Sequence, residues 1–272
     1  LANLVIVEFD QFAYGRTSGV GADGMAVVLS DASITPQPGA FGGPLGYGIK
    51  PGIPGFAGGW LGVGLDEYGN FSDSNEGKVG RPATAPYFRP QSITLRGSAA
   101  ANYKYLAGTA ANLNPRVDVR STSTAAPNHK YRIKVDSTIP SQAWVSVERD
   151  VRNGQGYQVL VPAFNARAIP NQGAVPEDFY LSFTGSTGGA NNNHEIDNFK
   201  VCALKSRPVG QQVHHFEFSY ASQGLTCESS AVTIKACANE SCNSRAITVR
   251  SCIRARRLTC SSSDFKLSAS AS

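Results

Sequence analysis

No stretch of this chain carries apolar residues at the three-to-four spacing of an amphipathic helix. They come instead in short alternating or continuous runs, each closed by Gly, Pro or Asn. That punctuation restricts the chain to an all-β sandwich or barrel. The runs that read as strands are 5–9, 24–29, 60–65, 92–95, 131–135, 143–149, 158–161, 179–184 and 195–202. Long Gly/Pro intervals separate several of them, notably 35–56. A loop of that length in a compact domain is ordinarily a binding loop or disordered. Since the chain opens inside an apparent strand, it is expected to be a piece of something longer.

Residues 1–203 read as one β unit, 204–212 as a linker, and 213–272 as a partial Cys-rich β module with a poorly ordered basic, Ser-rich tail. In that module 215–220 and 232–236 are expected strands, and the strand pattern is lost after Asn243. All six cysteines fall at or after Cys202. Their spacing lacks the paired C-x2-C of a zinc ribbon, and no His pair follows at finger spacing. In a Gly/Asn-rich β chain they fit disulfides of an exported protein. Cys237–Cys242 is the first pair expected, and Cys202 is expected to be paired as well.

Residues 1–200 hold 16 Lys+Arg against 16 Asp+Glu, and residues 201–272 hold 9 against 4, which accounts for the net charge of +5. The arginines concerned (Arg245, Arg250, Arg254, Arg256, Arg257) lack interleaved aromatics, so nucleic acid is not an expected partner. No apolar run approaches the roughly 20 residues that cross a bilayer, so no membrane insertion is expected.

The functional question sits at His194-Glu195-Ile196-Asp197-Asn198-Phe199-Lys200-Val201, which follows a Gly/Ser/Asn loop. Retaining glucanases with a jelly-roll fold carry E-I-D-x-x-E on one strand, with two carboxyls about 5–5.5 Å apart. Glu195 and Asp197 match its first two acids, but Lys200 stands at the third. A lysine at its ordinary pKa cannot serve there as acid/base. The chain is therefore not expected to be an enzyme. The Gly62-Val63-Gly64 run lies within a strand and opens no helix, so it is no dinucleotide site.

Four segments resemble, in chain order, an L-type (legume-lectin-like) domain: 21–29, 42–47, 61–70, and 181–189 leading into 194–201. The wording GADGMAVVLSDAS, GGWLGVGLDEYGNFS, FTGSTGG and HEIDNFKVCA is similar to the lectin-like region of MshQ-type proteins. These are large bacterial envelope proteins associated with a mannose-sensitive haemagglutinin pilus. The later LTCESSAVTIKACANESC is similar to the Cys-bearing repeat that follows in them. The resemblance implies a concanavalin A-like jelly-roll sandwich over 1–203, acting as a carbohydrate-binding module of a surface adhesin. Its partners would be glycans and other envelope or pilus components, at a bacterial surface or outside the cell. It also implies a strand ahead of Leu1 that pairs with the last strand.

In L-type lectins a cis Ala–Asp peptide aims the aspartate into the sugar cleft, and Ala22-Asp23 matches it. The resemblance implies that Asp23 accepts hydrogen bonds from two sugar hydroxyls. The N–H of Gly43 and the side chain of Asn70 would add donors. Ala190, Asn191, Asn192 and Asn193 would form the variable loop, and Tyr47 or Phe71 would supply an apolar ring face. The plainer reading of Asp23 is a turn cap.

Calcium takes several oxygen ligands, from carboxylates and backbone carbonyls alike. The resemblance assigns Asp66, the Tyr68 carbonyl and Asn70 to one calcium, completed by Asp73 or Glu76. Its transition-metal neighbour needs a glutamate where Gly64 stands and a histidine on the strand Ser92-Ile93-Thr94-Leu95, so that site is expected to be lost. The alternatives are a metal-free turn built on Asp66, and a β-sandwich spacer that no longer binds sugar.

Overall fold

A computed structural model describes residues 3–15, 19–118, 129–205, 215–219, 230–237, 240–241 and 245–253. By its contacts the chain divides after Leu204. In the first unit the strands are β1 (Leu4–Tyr14), β2 (Gly24–Asp31), β3 (Gly59–Asp66), β4 (Ser92–Arg96), β5 (Tyr105–Gly108), β6 (His129–Asp136), β7 (Trp144–Asp150), β8 (Gln158–Asn165), β9 (Phe179–Ser186) and β10 (Asn193–Ala203). They form two five-stranded sheets, β10-β1-β6-β7-β8 and β5-β4-β3-β2-β9, and every pairing is antiparallel.

Strand β6 shows why the chain folds this way. His129, Tyr131, Ile133 and Val135 are buried, while Lys130, Arg132, Lys134 and Asp136 alternate with them on the wetter face. Its inward residues meet Val7 and Phe9 of β1, Val27 of β2, Val63 and Leu65 of β3, Ile93 and Leu95 of β4, and Val145 and Val147 of β7 in one core. Each fully buried side chain of this size contributes about 1.5–3 kcal/mol.

Strands β2 and β3 are buried on both faces. A second core of Ala26, Val28, Leu45, Tyr47, Phe56, Phe71 and Tyr103 covers the outer side. The interval 35–56 is thus largely a packed cover. Gly62 and Gly64 make room for it, since a Cβ at Gly62 would overlap the Tyr47 ring and one at Gly64 the Phe71 ring. This corrects the expectation for Tyr47 and Phe71: both rings are fully buried, and neither offers a face to a ligand.

Two further differences concern sheet edges. The four-residue β5 was not expected; it is too short to show alternation, and a register shift between Leu95 and Arg96 interrupts its pairing with β4. The last strand of the unit, β10, pairs on one side with β1, from Val5↔Ala203 to Tyr14↔Asn193, and among the described residues its other side is the sheet edge.

The second unit holds β11 (His215–Ser219), β12 (Ser230–Cys237) and β13 (Arg245–Ile253), an antiparallel sheet in that order. Strand β13 corrects the reading of lost pattern after Asn243, for the β-branched Ile247, Thr248 and Val249 pair with Ala236, Lys235 and Ile234. Cys242 of the expected Cys237–Cys242 pair and the tail 254–272 lie outside the described residues. Among the described residues Cys202 is exposed and forms no disulfide, where a pair was expected. Among the described residues no helix is long and apolar enough to cross a membrane.

Candidate functional site

Register places the chemistry at one end of the β5-β4-β3-β2-β9 sheet. Gly24 of β2 lies opposite both Asp66 at the end of β3 and Ser186 at the end of β9. Asp23 therefore sits between two strand ends. Its N–H donates to the Ser186 carbonyl at 2.8 Å, and its own carbonyl accepts from the N–H of Glu67 at 3.0 Å and of Tyr68 at 3.2 Å. The Ala22–Asp23 peptide is cis.

Asp23 is 6% exposed, and among the described residues its Oδ2 has no hydrogen-bond partner. Burial pushes its pKa up to about 6, against the opposing pull of the Lys50 ammonium. Two glycines flank that oxygen: a Cβ at Gly188 would lie 3.5 Å from Oδ2, and one at Gly42 3.9 Å. The N–H of Gly42 donates to Ser186 Oγ. Next along the chain, Gly43 lies against the Asn70 carboxamide, whose Oδ1 is buried with no partner among the described residues. Asp23, Gly43 and Asn70 are thus brought to one place. Phe41, 62% exposed, stands at its rim with Lys50 Nζ 4.5 Å above the ring, and Lys50 pairs with Glu76 at 3.0 Å.

The loop between β9 and β10 forms the other wall. Gly188 N–H donates to the Ala190 carbonyl at 3.0 Å, and Asn191 is exposed. Asn192 reaches back to Glu67, its Nδ2 2.9 Å from Oε2. His194 Nε2 lies 2.6 Å from the other oxygen of Glu67. Reading the sequence residue by residue missed Phe41, Lys50 and the buried Glu67. The last was visible only as one letter of the Asp66–Asn70 run, with no sign of which residues it meets.

Asp66 is fully buried. Its Oδ1 accepts from Gly69 N–H at 2.7 Å and its Oδ2 from Phe71 N–H at 2.8 Å. Burial pushes its pKa up to about 8; those two N–H groups act against the rise, and the charges of Asp23 and Asp73 add to it. Tyr68 is a third exposed, its ring against Phe88. Asp73 bonds the N–H and Nδ2 of Asn75, both at 2.9 Å, and lies 3.4 Å from the buried Lys78 ammonium. Glu76 pairs with Lys50 and Lys78. The buried guanidinium of Arg96 donates to the carbonyls of Phe71, Asp73, Val79 and Tyr103, which fixes the loop; burial lowers its pKa to about 10.

Asp66 and Asn70 fit a single hard cation. One is a buried carboxyl with a strongly raised pKa, the other a buried amide oxygen without a partner. Asp73 fits less well, because Lys78 already neutralises it. The transition-metal position does not fit, since the Phe71 ring fills the space beside Gly64. Among the described residues no three His, Cys, Asp or Glu side chains converge, so a cation here would lean on neutral oxygens.

Glu195 and Asp197 lie elsewhere. They alternate on β10 with Ile196, whose side chain packs on the core, and so they occupy the outer face. Glu195 accepts from the Tyr14 hydroxyl at 2.7 Å, and Asp197 accepts from the N–H of Asn198. A surface cavity of about 340 Å³ lies between residues 32–36 and the start of β9, at the opposite end of β2 from Asp23.

Residues 213–252 match a family described as a domain of unknown function (DUF8613); that stretch excludes the site. No curated protein matches the chain. Among solved structures, the exoplasmic/lumenal domain of VIP36 in its Ca2+/Man3GlcNAc-bound form is similar at 16% identity, over 76% of this chain and 71% of that one, with a TM-score of 0.45. Basic winged bean lectin with Tn-antigen is 16% identical over 74% and 71%, at 0.49. Lectin I-B4 of Griffonia simplicifolia, metal-free, is 17% identical over 75% and 72%, also at 0.49. What the first unit's own strand pairings show is an all-β sandwich of two antiparallel five-stranded sheets.

Proposed function

We propose that the first unit binds glycans at Asp23, as a lectin-like module of an exported bacterial surface or pilus-associated protein. The observation that carries this reading is the unpartnered, buried Oδ2 of Asp23 between Gly42 and Gly188. A buried acceptor without a donor is costly. At the glycines no side chain bars the approach of a hydroxyl, a donor that would remove the cost. Asn70 and the Gly43 N–H stand beside it, and Phe41 offers an exposed ring for the apolar face of a sugar. Asp66, the Tyr68 carbonyl and Asn70 would hold one calcium ion, which would supply positive charge beneath Asp23 and fix the 66–70 turn. The surface and pilus setting rests on the sequence resemblance and on the late cysteines. Binding rather than hydrolysis agrees with Glu195 and Asp197 lying on the outer face of β10.

A structural spacer is the second reading. It is favoured by Asp66, whose two oxygens are already satisfied by its own loop. Glycan-array binding of the full chain, with Asp23→Asn beside it, separates the two. The lectin reading expects binding by the wild type and its loss in Asp23→Asn, with both proteins unfolding at similar temperature. If the wild type binds no glycan with or without calcium, the spacer reading stands.

A further inference from the structure

Glu67 meets three separate parts of the site. Its N–H donates to the Asp23 carbonyl, and its carbonyl accepts from both the N–H and Nε2 of Gln91 at 3.1 Å. Its carboxylate, with the side chain wholly buried, turns the other way: Oε2 accepts from Asn192 Nδ2 at 2.9 Å, and Oε1 meets His194 Nε2 at 2.6 Å. These partners lie 125 and 127 residues along the chain. Gly21 makes the convergence possible, since a Cβ there would sit 2.6 Å from Glu67 Oε2 and 2.9 Å from Asn192 Nδ2. None of the residues in the candidate calcium set is used in this contact.

We propose that Glu67 is the positioning residue of the loop 187–192 and thereby sets which glycans the Asp23 site accepts; the second half rests on the lectin reading above. The loop has two feet. At one, Ser186 is held by the N–H of Asp23 and by that of Gly42. At the other, the Glu67 carboxylate joins Asn192 and His194, at the point where His194 pairs with Ala13 of β1. Between the feet, Gly188 flanks Asp23 Oδ2. Moving the second foot therefore moves a wall of the site and leaves Asp23 in place. Hydrogen bonds to a buried carboxylate are the stronger kind, so this is a strong anchor for the loop.

The test compares the full-length wild type with Glu67→Leu, Glu67→Gln and Asn192→Ala. Amide hydrogen exchange of 187–192 and affinities across one glycan panel are read well below each melting temperature. In Glu67→Leu and Asn192→Ala, exchange of the loop is expected to accelerate about tenfold or more, the equivalent of one lost charge-assisted bond, and the order of preferred glycans to change. Glu67→Gln keeps an acceptor for Asn192 and a donor for His194, so it is expected to restore most of the wild-type order. A purely structural Glu67 would lower melting temperature and leave loop exchange and glycan order unchanged; that result overturns the proposal. Should Glu67→Leu fail to fold, Asn192→Ala decides the question alone. If the wild type binds no glycan, the lectin reading fails separately, and the exchange data still show whether Glu67 holds the loop.

Discussion

The Asn70 carboxamide lies flat against Gly43, so that a Cβ on Gly43 would overlap its Cγ, Nδ2 and Oδ1 together. The glycine is therefore the seat of Asn70, not simply part of a turn. Gly43→Ala must displace either Asn70 or the buried segment 42–48. Glycan affinity is expected to drop about tenfold, the scale of one misplaced hydrogen bond, as measured by titration calorimetry. Wild-type affinity in Gly43→Ala would remove Asn70 from the site.

Phe41 and Phe71 separate binding from folding. Phe71 is fully buried in the second core, and Phe71→Ala is expected to destabilise the unit by about 3–5 kcal/mol. Phe41 is exposed at the rim. Its replacement by alanine is expected to change stability by no more than about 0.5 kcal/mol and to weaken glycan binding. Denaturant unfolding and glycan titration on both variants check this. Undiminished binding by Phe41→Ala would mean that its ring meets no sugar.

The contrast between these two rings shows what the sequence discloses. Nine of the strands in the first unit were legible, because alternation such as that of His129–Asp136 is a local signal. The second core was not. Nothing in 35–56 says that Tyr47 turns onto Gly62, since that contact depends on a loop folding back over a sheet. The run Asp66–Asn70 was legible as a motif, and Asp23 with it. The partners of Glu67 were hidden, because they lie over a hundred residues away and share no pattern with it. The strand β5 was missed for a simpler reason: four residues cannot display a period of two.

His129 gives the fold a pH signature. It is 4% exposed, and burial, with the Arg149 charge adding to it, pushes its pKa down to about 4. In the unfolded chain the pKa is near 6.5. Between these values the unfolded state binds the extra proton, so stability falls as pH is lowered through that window and levels off below about 4. The loss amounts to about 3 kcal/mol at most. The raised carboxyls of Asp23 and Asp66 act in the opposite sense, so the difference between His129→Gln and wild type is the informative quantity. The variant is expected to lose less stability on going from pH 7 to pH 4.5, measured by urea unfolding. Parallel curves would mean that His129 is protonated in the folded chain.

Calcium provides the last prediction, and Asp66 its control. The carboxyl is buried, its pKa is pushed up to about 8, and it lies on the same turn as the unpartnered Asn70 Oδ1. A cation that binds only the folded state stabilises it by mass action, by about 2.7 kcal/mol at a hundredfold excess over Kd. For a unit of this size that is a rise of several degrees. Asp66→Asn is a demanding control, because an amide oriented to accept from Gly69 turns its NH2 toward the N–H of Phe71. The variant is therefore expected to be less stable in chelator, by about 1–3 kcal/mol. The decisive reading is the increment on adding calcium, which is expected in the wild type and absent in Asp66→Asn. No increment in the wild type would leave Asp66 as the acid of a metal-free turn held by Arg96 and Lys78. An increment that survives in Asp66→Asn would put the ion somewhere else in the chain.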